Sequence, residues 1–453
     1  MTLQSNRTEA SLFVIALFLV VQLVSVLTPP FQSPDEPTHV MRAYLLGRGA
    51  IFLGEGKGET GGMVDEGLLD YMKCFLPFIG DYTKKSSRDI PSSCQNIHFT
   101  RTEKFVGLAN TAVYFPLAYF PQAVALFAGE HLDWRVSRAY YFARILSSVA
   151  TLAILWWALL LYRAPPACIA LFVMPMCIFQ LASASLDPVT FALAALVGAL
   201  FLRGMNRDQT FESVEQAALA FSVLLLAISR IVYVVLIVLL FAISWRRRSL
   251  KLLASSLTVA LLSTSWIMFV LQNVHELGAH LFFGPSNISS IEIAKFYLYN
   301  PLSLVAVFAR TFSDGYLLGW HWRSFVGILA WLDTPVDSFV YMAYGVLLPL
   351  LVTVPVARRR FQNVDAGNIL LAVGAAISLF LIFFLALVGW DLYPAAVIEG
   401  VQGRYFYPPL ILLAYAITPR LQSLERKLSL FAITLVATAS LIDVVIKLKL
   451  RFG

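Results

Sequence analysis

Long apolar segments alternate with short polar connections along almost the whole chain. About eleven of them are apolar enough to be membrane-spanning helices, because each could fill the hydrocarbon core of a bilayer with side chains that need no hydrogen-bond partner. They are residues 11–28, 140–162, 167–182, 189–202, 216–229, 231–245, 250–272, 338–356, 368–388, 406–417 and 428–446. The pattern predicts an all-α integral membrane protein with about eleven transmembrane helices, forming one domain over residues 1–453.

Composition excludes a soluble globular protein. The 453 residues are 59% hydrophobic and 13% charged, with a mean hydropathy of +0.75, far above the values of soluble domains. The first apolar run has no small-residue cleavage site and ends in "TPPF". It is therefore interpreted as a retained span and not as a signal peptide.

The positive charge is concentrated in short connections. The net charge of +7 comes from 34 Lys and Arg against 27 Asp and Glu, and in a membrane protein such clusters indicate cytoplasmic loops and not nucleic-acid binding. The clusters are Arg163, Arg203 with Arg207, "WRRRSLK" from Trp245, "ARRRF" from Ala357, and Arg420 with Arg426 and Lys427.

One part of this topology conflicts with the rule that basic loops are cytoplasmic. An odd number of spans puts Lys447, Lys449 and Arg451 outside.

The topology leaves residues 29–139 and 273–337 as two large extracytoplasmic segments. In the first, the glycine-rich "GEGKGETGG" lacks the features of a phosphate-binding loop and is predicted to be a flexible linker or mobile loop. The stretch "TAVYFPLAYFPQAVALFAGEHL" is predicted to be a re-entrant or surface-lying helix, with a plain membrane anchor as the alternative. Cys74 and Cys94 lie in the same segment, and the sequence leaves open whether they form a disulfide.

A dense group of charges follows the first span, in "TPPFQSPDEPTHVMRAYLLGRG". Ser33 and Glu36 have the spacing of a capping box, which predicts a short helix from Ser33. The spacing places Asp35, His39 and Arg42 on one face of that helix. A surface helix with solvated charges is the simpler alternative.

Three further ionisable residues interrupt or flank apolar spans on the same predicted side. They are Asp187 in "QLASASLDPVT", Arg230 in "LLLAISRIVYVV" and Arg404 in "VIEGVQGRYFYPP", and charges in such places are costly enough to indicate function. Arginine binds phosphate through paired hydrogen bonds, and a nearby carboxylate can accept a proton from a hydroxyl. The set therefore predicts a site for a lipid-phosphate donor and a hydroxyl acceptor.

Several motifs resemble a bacterial polytopic family known as a domain of unknown function. They are "FQSPDEPTHVMRAYLLGRG", "RILSSVATLAIL", "MPMCIFQLASASLDPVTFALAAL", "GILAWLDTP" and "EGVQGRYFYPP". The layout of that family is similar to that of the GT-C glycosyltransferases, inner-membrane enzymes that take a sugar from a polyprenyl-phosphate carrier on the extracytoplasmic face. In those enzymes an acidic residue of the first outer loop is the catalytic base, and the resemblance assigns this role to Asp35, with Glu36 as the alternative.

The resemblance also implies roles for the other residues. Arg230 and Arg404 would stabilise the departing phosphate, Asp187 would hold sugar hydroxyls or the acceptor, and the acceptor would be a cell-envelope glycan or lipid. No cofactor is required, although a divalent metal held by Asp35 and Glu36 is left open. The remaining assigned substrate-binding residues are His39 and Arg42, which would orient Asp35 or contact substrate, and Gln402 and Tyr405 beside Arg404.

Two other classes of function compete with an enzyme. A transporter of lipid-linked sugars would also place arginines near a phosphate, but the chain shows no internal repeat with paired broken helices. A scaffold for envelope assembly would explain the hydrophobicity and leave the charged residues without a role.

Overall fold

The chain forms a bundle of helices joined by short connections. A computed structural model describes residues 3–56, 58–274, 288–357, 365–417 and 423–453. The α-helices are α1 Leu3–Leu27, α2 Glu36–Gly47, α3 Glu66–Lys73, α4 Ser86–Asp89, α5 Ala109–Ala112, α6 Phe120–His131, α7 Val136–Leu161, α8 Pro166–Phe172, α9 Pro175–Leu181, α10 Asp187–Met205, α11 Ser213–Ser229, α12 Ile237–Arg247, α13 Leu250–Asn273, α14 Ser290–Tyr299, α15 Pro301–Ser313, α16 Gly315–Gly327, α17 Ser338–Ala357, α18 Ala366–Gly389, α19 Tyr407–Ala416 and α20 Ser423–Phe452.

Six helices in the described ranges are long and apolar enough to cross a membrane. They lie in α1, α7, α10, α13, α18 and α20. The pair α14 and α15 passes the same test together but is bent by 101°, as in a broken span or re-entrant loop. This confirms a helical, multi-pass membrane protein, whereas the predicted count of eleven is not confirmed.

Several predicted spans are shorter or broken, and local sequence explains two of the breaks. Residues 167–182 form α8 and α9 because Pro175 lacks an amide donor and holds Met174 in an extended conformation. Residues 231–245 begin as a 3₁₀ turn at Ile231–Leu236 before α12, where a run of β-branched residues weakens the α-helix. Further 3₁₀ turns are Leu76–Phe78, Ser92–Asn96, Pro116–Tyr119 and Gly403–Phe406.

Small sheets stand in both predicted outer segments. Strands β1 Gly54–Gly56, β2 Glu59–Asp65 and β3 Glu103–Gly107 form an antiparallel sheet, and β4 Ile328–Leu329 pairs with β5 Thr334–Pro335. The prediction of a flexible glycine-rich linker is therefore wrong for the described residues of that stretch. Gly61 is required because a Cβ there would lie 2.0 Å from the Val106 carbonyl oxygen, so glycine permits the close strand pairing.

The first outer segment is closed by a disulfide and packs onto the bundle. Cys74 and Cys94 form the disulfide that the sequence left open. The predicted re-entrant stretch is not one helix: it contains α5, the 3₁₀ turn Pro116–Tyr119 and α6, with prolines at the breaks. Helix α6 packs against both α2 and α7, which fixes the charged stretch after α1 against the membrane-spanning core.

Helix α10 lies at the centre of the bundle and packs against α7, α11 and α19. Eighteen of its 19 residues are buried inside the protein. A helix that is apolar on all sides, as this one is, suits such a central place. Its first residue is Asp187, so the acidic end of the central helix is fixed by packing on every side.

The basic residues of the C-terminal helix have partners in the outer segment. Arg451, only 4% exposed, pairs with Asp333 at 3.2 Å and donates to the carbonyl oxygens of Phe78 and Asp81. Arg451 thus acts as a buried structural cation at this helix end.

Candidate functional site

The charged residues separated in sequence meet where several helices end. Asp35 precedes α2, Asp187 begins α10, Arg230 follows α11, and Arg404 lies in the 3₁₀ turn before α19. Arg404 and Asp35 are 369 residues apart in the chain. Packing around α10 brings these ends together at one end of the bundle.

Carboxylates and guanidinium groups alternate in this cluster. Arg404 pairs with Asp35 and lies 3.5 Å from Asp187, which in turn pairs with Arg230. The Asp187 and Arg404 side chains are 2% and 1% exposed, whereas Asp35 is 40% exposed. Two carboxylates therefore balance two buried arginines, as low-dielectric surroundings require, and only Asp35 offers much of its carboxylate to solvent.

The backbone holds Asp35 in an unusual conformation. Its φ of 61° lies in the left-handed region at the N-cap of α2, which is uncommon for a residue with a side chain and recurs at functional sites. The helix begins three residues later than predicted. Glu36 contacts the Ser33 amide at 3.4 Å, but the Ser33 hydroxyl donates to Gln180 at 3.2 Å, so only half of the capping box forms.

The electrostatics keep Asp35 ionised. Burial acts to raise its pKa, but the charge and the hydrogen bond of Arg404, together with the charge of Arg230, outweigh burial and hold the pKa of Asp35 below its usual value. The carboxylate is therefore available at neutral pH as a hydrogen-bond and proton acceptor.

His39 is one turn from Asp35 and is buried. Burial lowers the pKa of His39 to about 4, and the attraction of Asp35 and Asp187 offsets this only in part. Its Nδ1 lies 2.7 Å from the Tyr119 hydroxyl. At neutral pH the imidazole is uncharged, so it adds shape and hydrogen bonding to the site without a third positive charge.

A cavity of about 750 Å³ opens beside this cluster. Five of the predicted site residues line it: Asp35, His39, Arg230, Gln402 and Tyr405. The Arg230 guanidinium lies 4.8 Å from the Tyr405 ring, and its side chain is 14% exposed. The cavity thus presents an ionised carboxylate and a guanidinium group on one surface.

Four predicted site residues are not among the cavity-lining residues. Seen from the cavity, Arg404 and Asp187 lie behind Asp35 and Arg230 and form ion pairs with them. Arg42 turns to the carbonyl oxygens of Ala50 and Ile51, at 2.9 and 2.7 Å, and so fixes the end of α2. Glu36 is the fourth.

The Glu36 carboxylate is sealed inside the protein. It pairs with Arg144 at 3.0 and 3.1 Å and accepts from the Ala184 amide at 2.8 Å. Arg144 also donates to the carbonyl oxygens of Ser25, Thr28 and Pro29. This buried pair ties the end of α1 to α7 and favours Asp35 over Glu36 as the reactive carboxylate.

Sequence reasoning assigned no role to Arg144 or to part of the cavity wall. Arg144 had a detectable signal, because it is a charge inside the apolar stretch "ARILSSVATLAIL". The other cavity-lining residues gave no such signal in the sequence, since tyrosines and tryptophans are common near membrane surfaces. The cavity residues missed are Asn110, Thr111, Tyr114, Tyr316, Leu317, Trp320, His321, Leu332, Trp390, Glu399 and Gly400.

Metal binding has no support from clustered ligands. Among the residues that the structure describes, no group of three or more His, Cys, Asp or Glu side chains is placed to hold a metal ion. The oxygens of Glu36 are occupied by Arg144 and the Ala184 amide, so Asp35 and Glu36 do not present a shared metal site.

Comparisons with known proteins bear on the fold and the family. A search of the curated proteins gives no match. ArnT from Cupriavidus metallidurans, solved with undecaprenyl phosphate bound, is similar at 16% identity and a TM-score of 0.41, over 95% of this chain and 64% of that one. This similarity is too distant to carry an argument about substrate or mechanism. Residues 17–414 match the family described as predicted membrane protein DUF2142, and the chain therefore belongs to that family.

Proposed function

We propose that this protein is a GT-C-like glycosyltransferase of the bacterial inner membrane. It transfers a sugar from a polyprenyl-phosphate carrier to a cell-envelope glycan or lipid on the extracytoplasmic face. The observation that carries the proposal is the pair Asp35 and Arg230 on one cavity surface, an ionised carboxylate beside a partly exposed guanidinium group. These groups match the two chemical needs of the reaction.

In the proposed reaction, Asp35 accepts the proton of an acceptor hydroxyl. The oxygen then attacks the anomeric carbon of the donor sugar, and the bond from that carbon to the phosphate oxygen breaks. The electron pair leaves with the polyprenyl phosphate, and the configuration at the anomeric carbon is inverted. Asp35 acts as general base, and no metal or cofactor is needed in this scheme.

The two arginines have different tasks in this proposal. Arg230 lines the cavity with a partly exposed guanidinium group, so it binds the lipid phosphate and its developing charge. Arg404 is 1% exposed and donates to the Pro34 carbonyl oxygen at 2.9 Å as well as to Asp35. Its task is to hold the base, and it acts on the phosphate mainly through its charge.

The charge distribution supports an extracytoplasmic site. Basic residues gather at the opposite helix ends: Arg163 and Arg426 pair with Glu9 at the start of α1, and Arg247 donates to Gly204 at the end of α10. The positive-inside rule puts those ends in the cytoplasm. The disulfide on the side of the site fits an oxidising exterior.

A transporter or flippase of lipid-linked sugars remains the alternative. Secondary transporters commonly bind substrate near the bilayer midplane between repeats, whereas this cluster lies at helix ends beside an extramembrane segment. That position favours transfer over transport.

The test is reconstitution of the purified protein in liposomes with polyprenyl-phosphate sugars and envelope extract. Transfer predicts release of polyprenyl phosphate together with a glycosylated product. Movement of intact lipid-linked sugar between leaflets, without release of lipid phosphate, would establish the transporter instead.

A further inference from the structure

The cavity wall away from Asp35 has a different chemical character. Tyr316 and Trp320 come from α16, and Trp390 with Gln402 comes from the connection between α18 and α19. Tyr316 is 72% exposed and Trp390 is 51% exposed. Aromatic rings that line a cavity mouth offer flat apolar surfaces on which a ligand ring can stack.

A polar atom without a partner accompanies these rings. The Gln402 Oε1 is buried and has no hydrogen-bond partner among the described residues. His321 is 6% exposed and lies beside the Val401 backbone. Because an unmade buried hydrogen bond is costly, the Gln402 Oε1 indicates a missing partner that donates a hydrogen bond.

The connection that carries Trp390 and Gln402 is held rigidly. Its backbone amide at Ile398 donates to Thr311 Oγ1 at 2.9 Å, and Arg310 Nε donates to the Ala396 carbonyl oxygen at 2.6 Å. Gly403 donates to Ser324 Oγ at 3.0 Å. These bonds fasten the connection to α15 and α16, so the two sides of the wall keep a fixed spacing, as a binding site requires.

We infer that Tyr316, Trp320, Trp390, His321, Gln402 and Glu399 form a binding site for a carbohydrate ring. A sugar has an apolar C–H face that stacks on aromatic rings and hydroxyls at its edge that both donate and accept hydrogen bonds. The inference rests on the proposed function, which supplies a sugar on the donor and, where the acceptor is a glycan, a second sugar on the acceptor. The ring belongs to the acceptor or to the donor, and the two share this chemistry.

The test is saturation-transfer NMR on the purified full chain in detergent, without lipid donor. The probes are glucose, galactose, N-acetylglucosamine and ribose at millimolar concentration, with sorbitol as an acyclic polyol control. The wild type is expected to transfer saturation to ring protons of at least one cyclic sugar and not to sorbitol. No binding of any cyclic probe, or equal binding of sorbitol, would overturn the inference.

Variants identify the wall as the site. W320A, W390A and Q402M are expected to weaken binding about tenfold or more, the range for removing an anchoring contact. Y316A serves as the variant with the smallest folding risk because its side chain is already exposed. W245A is the matched control, since Trp245 is 86% exposed at the other end of the bundle. Wild-type binding in Y316A, W320A and W390A would overturn the site and leave these rings as membrane-surface anchors.

Competition separates the two sources of the sugar. Displacement by polyprenyl-phosphate sugar, but not by bare polyprenyl phosphate, would assign the wall to the donor sugar. Binding that persists with both lipids would assign it to the acceptor. Free-sugar binding needs no transfer, so sugar binding without transfer would overturn only the proposed function, and transfer without sugar binding would overturn only this inference.

Discussion

Asp35 and Glu36 are neighbours in sequence, each pairs with a buried arginine, and yet they lie in two different surroundings. Asp35 pairs with Arg404 at a cavity wall and is 40% exposed. Glu36 pairs with Arg144 and is 0% exposed. The first pair faces space that a substrate can enter, whereas the second is enclosed between α1, α2 and α7.

The difference shows that neighbouring carboxylates of one charged motif can have separate roles, one in the chemistry and one in stability. In the sealed pair, the Glu36 oxygens accept hydrogen bonds from the guanidinium and from backbone amides, so no oxygen is open to a substrate. In the open pair, one carboxylate side remains free toward the cavity. Each of the following predictions tests whether this division between chemistry and structure holds.

The largest effect is expected for Asp35→Asn. The amide has nearly the same shape but cannot take a proton, so transfer should fall about 10²–10⁴-fold. Initial rates of polyprenyl phosphate release, normalised to folded protein, give the measurement. The amount of protein in the membrane should match the wild type. Undiminished turnover would remove Asp35 as the base.

Glu36→Gln should act on stability and not on the chemical step. The change leaves the Arg144 charge buried without a counter-charge, a loss of about 3–5 kcal/mol in the free energy of unfolding for comparable buried pairs. Denaturation of the purified protein measures it, and turnover per folded molecule is the second readout. Normal stability combined with lost turnover would reverse the assignment and make Glu36 the base.

Replacing Arg230 or Arg404 by lysine keeps the charge but loses the planar, two-pronged geometry. Arg230→Lys and Arg404→Lys should each lower kcat/KM about tenfold, near the worth of one charge-assisted hydrogen bond. Saturating lipid donor should restore Arg230→Lys in part, because Arg230 faces the bound phosphate. It should not restore Arg404→Lys, because Arg404 holds the base. Wild-type kinetics in both variants would favour the transporter.

The rate of transfer should show no pH dependence that comes from the titration of a histidine. The pKa of Asp35 is held below its usual value and that of His39 is lowered to about 4, so neither group changes charge as the pH falls from neutral to about 5. Rates should stay level over that range and decline only at lower pH, when Asp35 becomes protonated. A decline centred near the ordinary histidine value of about 6.5 would show that His39 titrates in the site.

The smallest effect concerns Asp391, which accepts a hydrogen bond from the Glu399 amide at 3.0 Å. Burial raises the pKa of Asp391 to about 7, with the Glu399 charge adding to it against the hydrogen bond. Because the folded-state pKa lies above the unfolded value, this group favours the folded connection at low pH, and that contribution is lost as pH rises through about 7. The protection factor for hydrogen exchange over residues 390–402, which removes the faster intrinsic exchange at higher pH, should fall between about pH 4 and pH 7 in the wild type and less in D391N.

The sequence by itself determined the membrane character, the order of the apolar segments and the position of charges at their ends. These follow from local rules. A long apolar run must be buried in lipid or protein, and a charge within it is costly and so indicates a function. It also pointed to Asp35, Arg230 and Arg404. It did not determine the number of spans, because segments such as α8 and α9 are apolar in composition but are broken by proline into helices of seven residues each.

Only the tertiary structure determined which charged side chains form ion pairs with each other. Asp35 and Arg404 stand 369 residues apart, and no periodicity specifies a contact at that distance. The packing of α10 among its neighbours fixes where Asp187 lies and so which arginines it joins. Likewise, a one-residue step along the turn before α2 sends Asp35 to the cavity and Glu36 to Arg144, because side-chain direction depends on backbone angles that neighbouring helices impose.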